Sequence, residues 1–250
     1  MFTLRDNHKA INVDLHDPVG VARAERLGFV GDKLSMADVM FAGPLANILG
    51  QLFTKTHKAA LFTVFRHPVD RAVSTFYYLQ KAHWENSYAP EWANMTLLEY
   101  VHNYRAIEEN WLVRWLSGKP QLFGDPLDYE DLEKAKLVLR DYMWIGLTDH
   151  MEESMERFGQ LFGWNRMPQD TNNLWQSCVQ KLGREGSNVN KHKAVNEGEP
   201  EYAALAELNK WDMMLYEYAV ELFHQDGKDH FRQLSQSTEE VSIEDATDHV

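Results

Sequence analysis

The chain has 250 residues, 44% of them apolar, with 12 Phe, 10 Tyr and 8 Trp; so many aromatic side chains need a core, which excludes disorder over most of the length. The net charge of −13 argues against nonspecific nucleic-acid binding, and the single cysteine, Cys178, excludes an internal disulfide and a cysteine-rich zinc site. No apolar run is long enough to cross a membrane, and Met1–Val13, which carries Arg5, Asp6, His8 and Lys9, does not read as a signal peptide.

Helical and strand-like pieces alternate, which points to an α/β fold. One unit is expected over residues 1–232, packed from about residue 10. Ala60–Phe65 is a short apolar run rich in β-formers and reads as a strand buried on both faces, as in a parallel sheet. A helical pattern follows from Val69 to about Lys81, with Pro68 suited to its first turn. Asp128 reads as an N-cap with Asp131 as its acidic partner, ahead of a helix striped by Leu132, Ala135, Leu139 and Tyr142. Trp144–Leu147 is a second short strand. Met151, Met155, Phe158 and Phe162 mark another helix, closed by Gly163. Residues 165–200 are polar and read as loop with at most one short helix. Leu208, Trp211, Leu215, Tyr218 and Leu222 lie on one stripe, expected to be a long C-terminal helix. Residues 233–250 hold Glu239, Glu240, Glu244, Asp245 and Asp248 with no Lys or Arg, and are expected to form a solvated, disordered tail.

The segment Phe65 to Tyr78 carries the chemistry. It puts Arg66 at the carboxyl end of a strand, the edge where open α/β sheets bind ligands. The next helix offers unpaired N–H groups and the positive end of its dipole. A guanidinium fork suits a phosphate, and Ser74, two turns along, adds a hydroxyl. The competing reading pairs Arg66 with a carboxylate such as Asp70 and leaves Ser74 an ordinary helix residue.

This segment resembles the 3′-phosphate-binding motif of the sulfotransferases that use 3′-phosphoadenosine-5′-phosphosulfate (PAPS). Arg66, Pro68, Arg71, Ser74, Phe76 and Tyr77 match that pattern. Three further blocks resemble the carbohydrate, Golgi-type branch: Glu109–Gly118; Asp131–Lys136 leading through Ile145–Leu147 to Met151–Trp164; and Asn209–Ala219. The likeness covers roughly residues 58–225. It implies a P-loop-kinase-like three-layer sandwich with a parallel sheet and extra C-terminal helices. It also implies sulfuryl transfer from PAPS to a carbohydrate hydroxyl, with no metal. Arg66 and Ser74 would hold the 3′-phosphate. Lys191 and Lys193, with Asn188 and Asn190, would close over the cofactor or the acceptor.

Members of that family begin with a glycine-rich loop bearing Lys and Ser/Thr, which grips the 5′-phosphosulfate. Before Arg66 the glycines are scattered, at Gly20, Gly28, Gly31, Gly43 and Gly50, and none opens such a run. The first strand–loop–helix unit is therefore expected to be missing or degenerate. The catalytic base is expected between that loop and the Arg strand, where Asp38 is the candidate; His67, His8, His16 and His57 rank behind it. His83, His102 and His150 are too scattered to imply a metal site. Asn94-Met95-Thr96 is a glycosylation sequon. The family setting is the Golgi lumen or membrane, with any anchor ahead of Met1, while this chain itself reads as soluble. Two other readings stay open: a non-catalytic module that binds nucleotide or glycan, and a P-loop kinase acting on a small molecule. A kinase has no use for a 3′-phosphate grip, since ATP lacks that group.

Overall fold

A computed structural model of the chain describes residues 2–3, 9–10, 13–15, 17–30, 39–40, 45–54, 56–85, 88, 90–103, 109–119, 125–164, 176–177, 179–181 and 192–225. The acidic tail falls outside them. The order is β1 (Phe2–Thr3), β2 (Lys9–Ala10), α1 (Pro18–Arg26), α2 (Leu45–Leu52), β3 (Leu61–Phe65), α3 (Pro68–Leu79), a 3-10 turn (Pro90–Asn94), α4 (Leu97–Asn103), α5 (Trp111–Ser117), α6 (Tyr129–Tyr142), β4 (Met143–Leu147), a second 3-10 turn (Thr148–His150), α7 (Met151–Leu161), α8 (Pro200–Leu208) and α9 (Lys210–Gln225). The chain is mixed α/β and mostly helical.

β3 and β4 pair in parallel, with Leu61 opposite Met143 and Phe65 opposite Leu147, so both strands end in register. β1 and β2 form a separate antiparallel pair. Side chains alternate across the β3–β4 sheet. Phe65, Met143, Ile145 and Leu147 pack with α5, α6 and α9. Trp144 packs with Phe158, and Phe62 and Val64 join them on the α7 side. Helices thus cover both faces. β4 is buried throughout, but Leu61–Val64 of β3 are half-buried, which corrects the expectation of a fully buried strand. Among the described residues β3 has one neighbouring strand, β4.

Gly146 faces α7. A Cβ there would lie 2.9 Å from Ser154 Cβ and 3.1 Å from the Phe158 ring. Ser154 is itself fully buried and fastens α7 to the strand end: its Oγ accepts from the Leu147 N–H at 2.8 Å and lies 2.8 Å from the His150 carbonyl.

The helix boundaries follow from local chemistry. Asp128 caps α6 through the N–H groups of Glu130 and Asp131, while Asp131 Oδ2 accepts from the Asp128 N–H at 3.0 Å. The same device starts α4, where Thr96 Oγ1 accepts from the Glu99 N–H and Glu99 Oε2 accepts from the Thr96 N–H at 2.8 Å. Thr96 of the sequon therefore begins a helix, and Asn94 is exposed beside it. Gly163 follows α7 with φ +71°, the conformation expected of a C-terminal glycine.

The C-terminal stripe is two helices rather than one. Asn209 breaks it: its Nδ2 donates to the Leu205 carbonyl, and its backbone carbonyl accepts from the Met213 N–H to start α9. Leu208 ends the earlier helix and packs in the cluster that α3, α4 and α8 share.

At this break the N-termini of α5 and α9 cap each other. Asn110, the N-cap of α5, accepts from the N–H groups of Trp211 and Asp212 at 2.9 and 3.2 Å. Asp212 in turn accepts from the N–H groups of Leu112 and Val113 at 3.0 and 2.8 Å. Asn110 holds a left-handed conformation, φ 49° and ψ 44°, which asparagine tolerates better than most residues. Buried Arg114 ties the junction to the chain on both sides, donating to the carbonyls of Glu109 and Asp125. Burial pushes the Asp212 carboxyl up to about 6, against the pull of its two N–H donors and of Arg71 and Arg114.

Two outcomes are expected. Gly146→Ala forces α7 off the sheet and should lower stability by about 1–3 kcal/mol in urea unfolding. Asp212 binds its proton more tightly folded than unfolded, so its contribution to stability falls as pH rises from about 4 through about 6. Measured by denaturation, the advantage of the wild type over Asp212→Asn should shrink by roughly 2 kcal/mol between pH 4 and pH 7. An advantage constant across that range would mean that Asp212 titrates normally.

Candidate functional site

The in-register ends of β3 and β4 bring two turns side by side, Arg66-His67 after one strand and Thr148-Asp149-His150 after the other. This is the carboxyl edge of the parallel pair. Arg66 is half-buried. His67 takes an extended backbone, φ −51° and ψ 129°, and Pro68 begins α3 directly after it. His67 does not cap this helix with its side chain, and among the described residues no side chain accepts from its first-turn N–H groups. Among the described residues the Arg66 guanidinium makes no hydrogen bond or ion pair. Asp70 is exposed in the first turn of α3 and does not pair with it. A half-buried cation therefore stands beside an open helix N-terminus.

Ser74 is half-buried on the same helix, and its hydroxyl likewise has no hydrogen-bond partner among the described residues. Three residues on, and so on the same flank, Tyr77 stacks on His192 with ring centres 4.8 Å apart and planes 10° from parallel. That stack ties the chain entering α8 to the Ser74 flank and brings Lys193 with it. Lys193 is exposed and donates to Glu199 Oε2 at 3.2 Å. Asp38, Asn188, Asn190 and Lys191 lie outside the described residues.

The second arginine of the motif points elsewhere. The Arg71 guanidinium lies 5.6 Å from the Trp111 ring centre, and its charge helps to hold down the Asp212 carboxyl. It supports the α5–α9 junction.

An aromatic group not evident from the sequence surrounds His67. Its ring is 6.1 Å from Tyr202 and 5.2 Å from Tyr216. The Tyr216 hydroxyl lies 3.4 Å from Asp149 Oδ2, so the tyrosine joins the two turns. Burial, reinforced by Asp149, pushes the Tyr216 phenol up to about 12 and keeps it a donor across the physiological range. Nothing in local spacing links His67, Asp149, Tyr202 and Tyr216; only the strand pairing and the return of α9 bring them together.

A cleft of about 500 Å³ opens on another part of the surface, lined among others by His102, Glu109, Glu207, Lys210 and Trp211. Among the described residues no cluster of His, Cys, Asp and Glu could hold a metal, and no helix is long and apolar enough to cross a membrane. Comparison with protein-family models, with curated proteins and with solved structures finds no match for this chain.

Proposed function

We propose that the chain binds a 3′-phosphorylated adenine nucleotide at the carboxyl edge of its parallel strands and acts as a PAPS-dependent sulfotransferase on a carbohydrate hydroxyl. The observation that carries this reading is the half-buried Arg66 guanidinium, which has no partner among the described residues, set against the N-terminus of α3, which no described side chain caps. A cation in that position favours an anionic ligand. A phosphate monoester meets both the planar fork and the free N–H groups. Ser74 would add a hydroxyl donor and Lys193, which here pairs with Glu199, a positive charge. In the transfer step the acceptor oxygen attacks sulfur and the bridging sulfur–oxygen bond breaks. The hydroxyl proton passes to a base, for which Asp38 is the candidate, and adenosine 3′,5′-bisphosphate leaves. The fold that suits this chemistry is a P-loop-kinase-like sandwich, and the setting that suits a glycan acceptor is the Golgi.

One feature favours a second reading. Residues 1–65 contain no glycine-rich loop of the kind that would hold the 5′-phosphosulfate. Loss of a single donor to the developing charge typically costs about 10²–10³ in rate. A chain that keeps Arg66 but lacks that loop would bind nucleotide or glycan without turnover. Transfer of labelled sulfate from PAPS to desulfated glycans separates the two readings.

The nucleotide reading is tested by calorimetry. Arg66→Ala should weaken binding of adenosine 3′,5′-bisphosphate about 30-fold or more, since truncating one partner of a desolvated charge pair costs roughly 2–5 kcal/mol. Binding of adenosine 5′-phosphate should barely change. Arg66→Lys should restore part of the loss, because a point charge cannot reproduce the fork. Equal losses for both nucleotides would remove the 3′-phosphate assignment.

A further inference from the structure

The far end of α3 carries an exposed aromatic corner that the proposed chemistry does not use. Trp84 is 64% exposed and Tyr78 41%. An indole is an unusual side chain to leave in water, and this one is fixed there. Its Nε1–H donates to the Tyr78 hydroxyl at 3.2 Å, and that hydroxyl donates to Glu85 Oε1 at 2.6 Å. His83 stands edge-on to the indole, 5.0 Å between ring centres and 75° between planes, and Tyr78 does the same at 6.2 Å and 74°. The backbone turn beneath is closed by the N–H of Glu85 on the Ala82 carbonyl and that of Tyr88 on the Glu85 carbonyl. With its polar edge satisfied inside the cluster and its neighbours perpendicular, Trp84 presents a flat apolar face to solvent.

The rim of that face is rich in acceptors. The His83 Nδ1 lies 3.2 Å from the Lys81 carbonyl and donates to it, which leaves Nε2 as the acceptor of the neutral ring. Glu85 has a second carboxylate oxygen with no hydrogen bond to the described residues. A flat ring face carries partial negative charge and attracts C–H groups that carry partial positive charge. The complement of such a face, edged by acceptors, is a ligand with an apolar C–H face and a rim of hydroxyl donors. That is the chemistry of a pyranose ring. Glu85 and the net charge of −13 select against sulfated or uronic sugars.

We infer that Trp84, with Glu85 and His83 at its rim, is a binding platform for a neutral pyranose unit of an oligosaccharide. It lies at the other end of a 12-residue helix from the Arg66 turn, a rise of about 18 Å. It is therefore a site apart from any transfer centre, and it stands whether or not the nucleotide reading holds.

The test is a two-dimensional NMR titration of the full chain. The Trp84 indole signal is assigned by its loss in Trp84→Phe, and the probes are cellohexaose, chitohexaose and a heparin hexasaccharide. A neutral hexasaccharide should shift the Trp84 signal saturably, with Kd on the order of 1 mM for one stacked sugar. Trp84→Ala should weaken this at least tenfold, Glu85→Gln a few-fold, and Arg66→Ala not at all; Trp84→Phe keeps the ring face and should retain part of the binding, read from the free sugar's signals. Far-ultraviolet circular dichroism checks that each variant is folded. The proposal is overturned if neither neutral sugar moves the signal by 10 mM, if binding survives Trp84→Ala, or if the heparin fragment binds more tightly. It is also overturned if sedimentation shows self-association of the wild type that Trp84→Ala abolishes, which would make the corner a contact between copies.

Discussion

Asn110 and Asp212 each accept the N–H groups of the helix that the other begins, and much of the molecule rests on this exchange. α5 has seven residues, too few for a helix to persist alone. It holds its place because a carboxylate from α9 satisfies its second and third N–H groups in a dry environment, and α9 receives the same service from Asn110. Each cap of this kind is worth about 0.5–2 kcal/mol, and here the two are coupled. The larger core forms around the pair: Leu112, Val113 and Leu116 of α5 meet Leu215 and Ala219 of α9 over the inner face of the sheet. Arg71 and Arg114 keep the buried charge tolerable, so α3 is joined to the same junction through Arg71.

That junction also bears on why Arg66 has no partner among the described residues. α3 spends its second arginine inward, on Trp111 and Asp212, and its apolar residues on α4 and α8. Its N-terminus is braced from outside by His67 between two tyrosines. The helix is held at its flank and its interior, while no described side chain caps its first turn. A rigid support whose end no described side chain caps is the arrangement the proposed phosphate site needs.

Local signals carried the sequence reading far. The Asp128–Asp131 pair, Pro68 after the strand, Gly163 after α7 and the apolar runs of β3 and β4 each act within a few residues, and each stands close to where the sequence puts it. What stayed hidden acts at long range. The break at Asn209 leaves the apolar spacing intact, because the residue turns the chain through bonds to Leu205 and to the Asn110 N–H without disturbing the stripe. The partial burial of β3 depends on its neighbours, which its composition does not report. In the candidate site, Arg66 and Ser74 were legible because one strand–turn–helix unit holds both. The Tyr202–His67–Tyr216–Asp149 group was not, since its members come from four separate stretches of chain.

The reciprocal cap has a consequence for the nascent protein. The N–H of Leu112 waits for an acceptor 100 residues downstream. At about 5–20 residues per second, a ribosome takes roughly 5–20 s to make that stretch. During that interval α5 has neither cap nor core, and the apolar faces of β3 and α3 have only part of their cover. Synthesis from the amino end is thus poorly matched to this topology, and the core around α5 completes late, when α9 emerges.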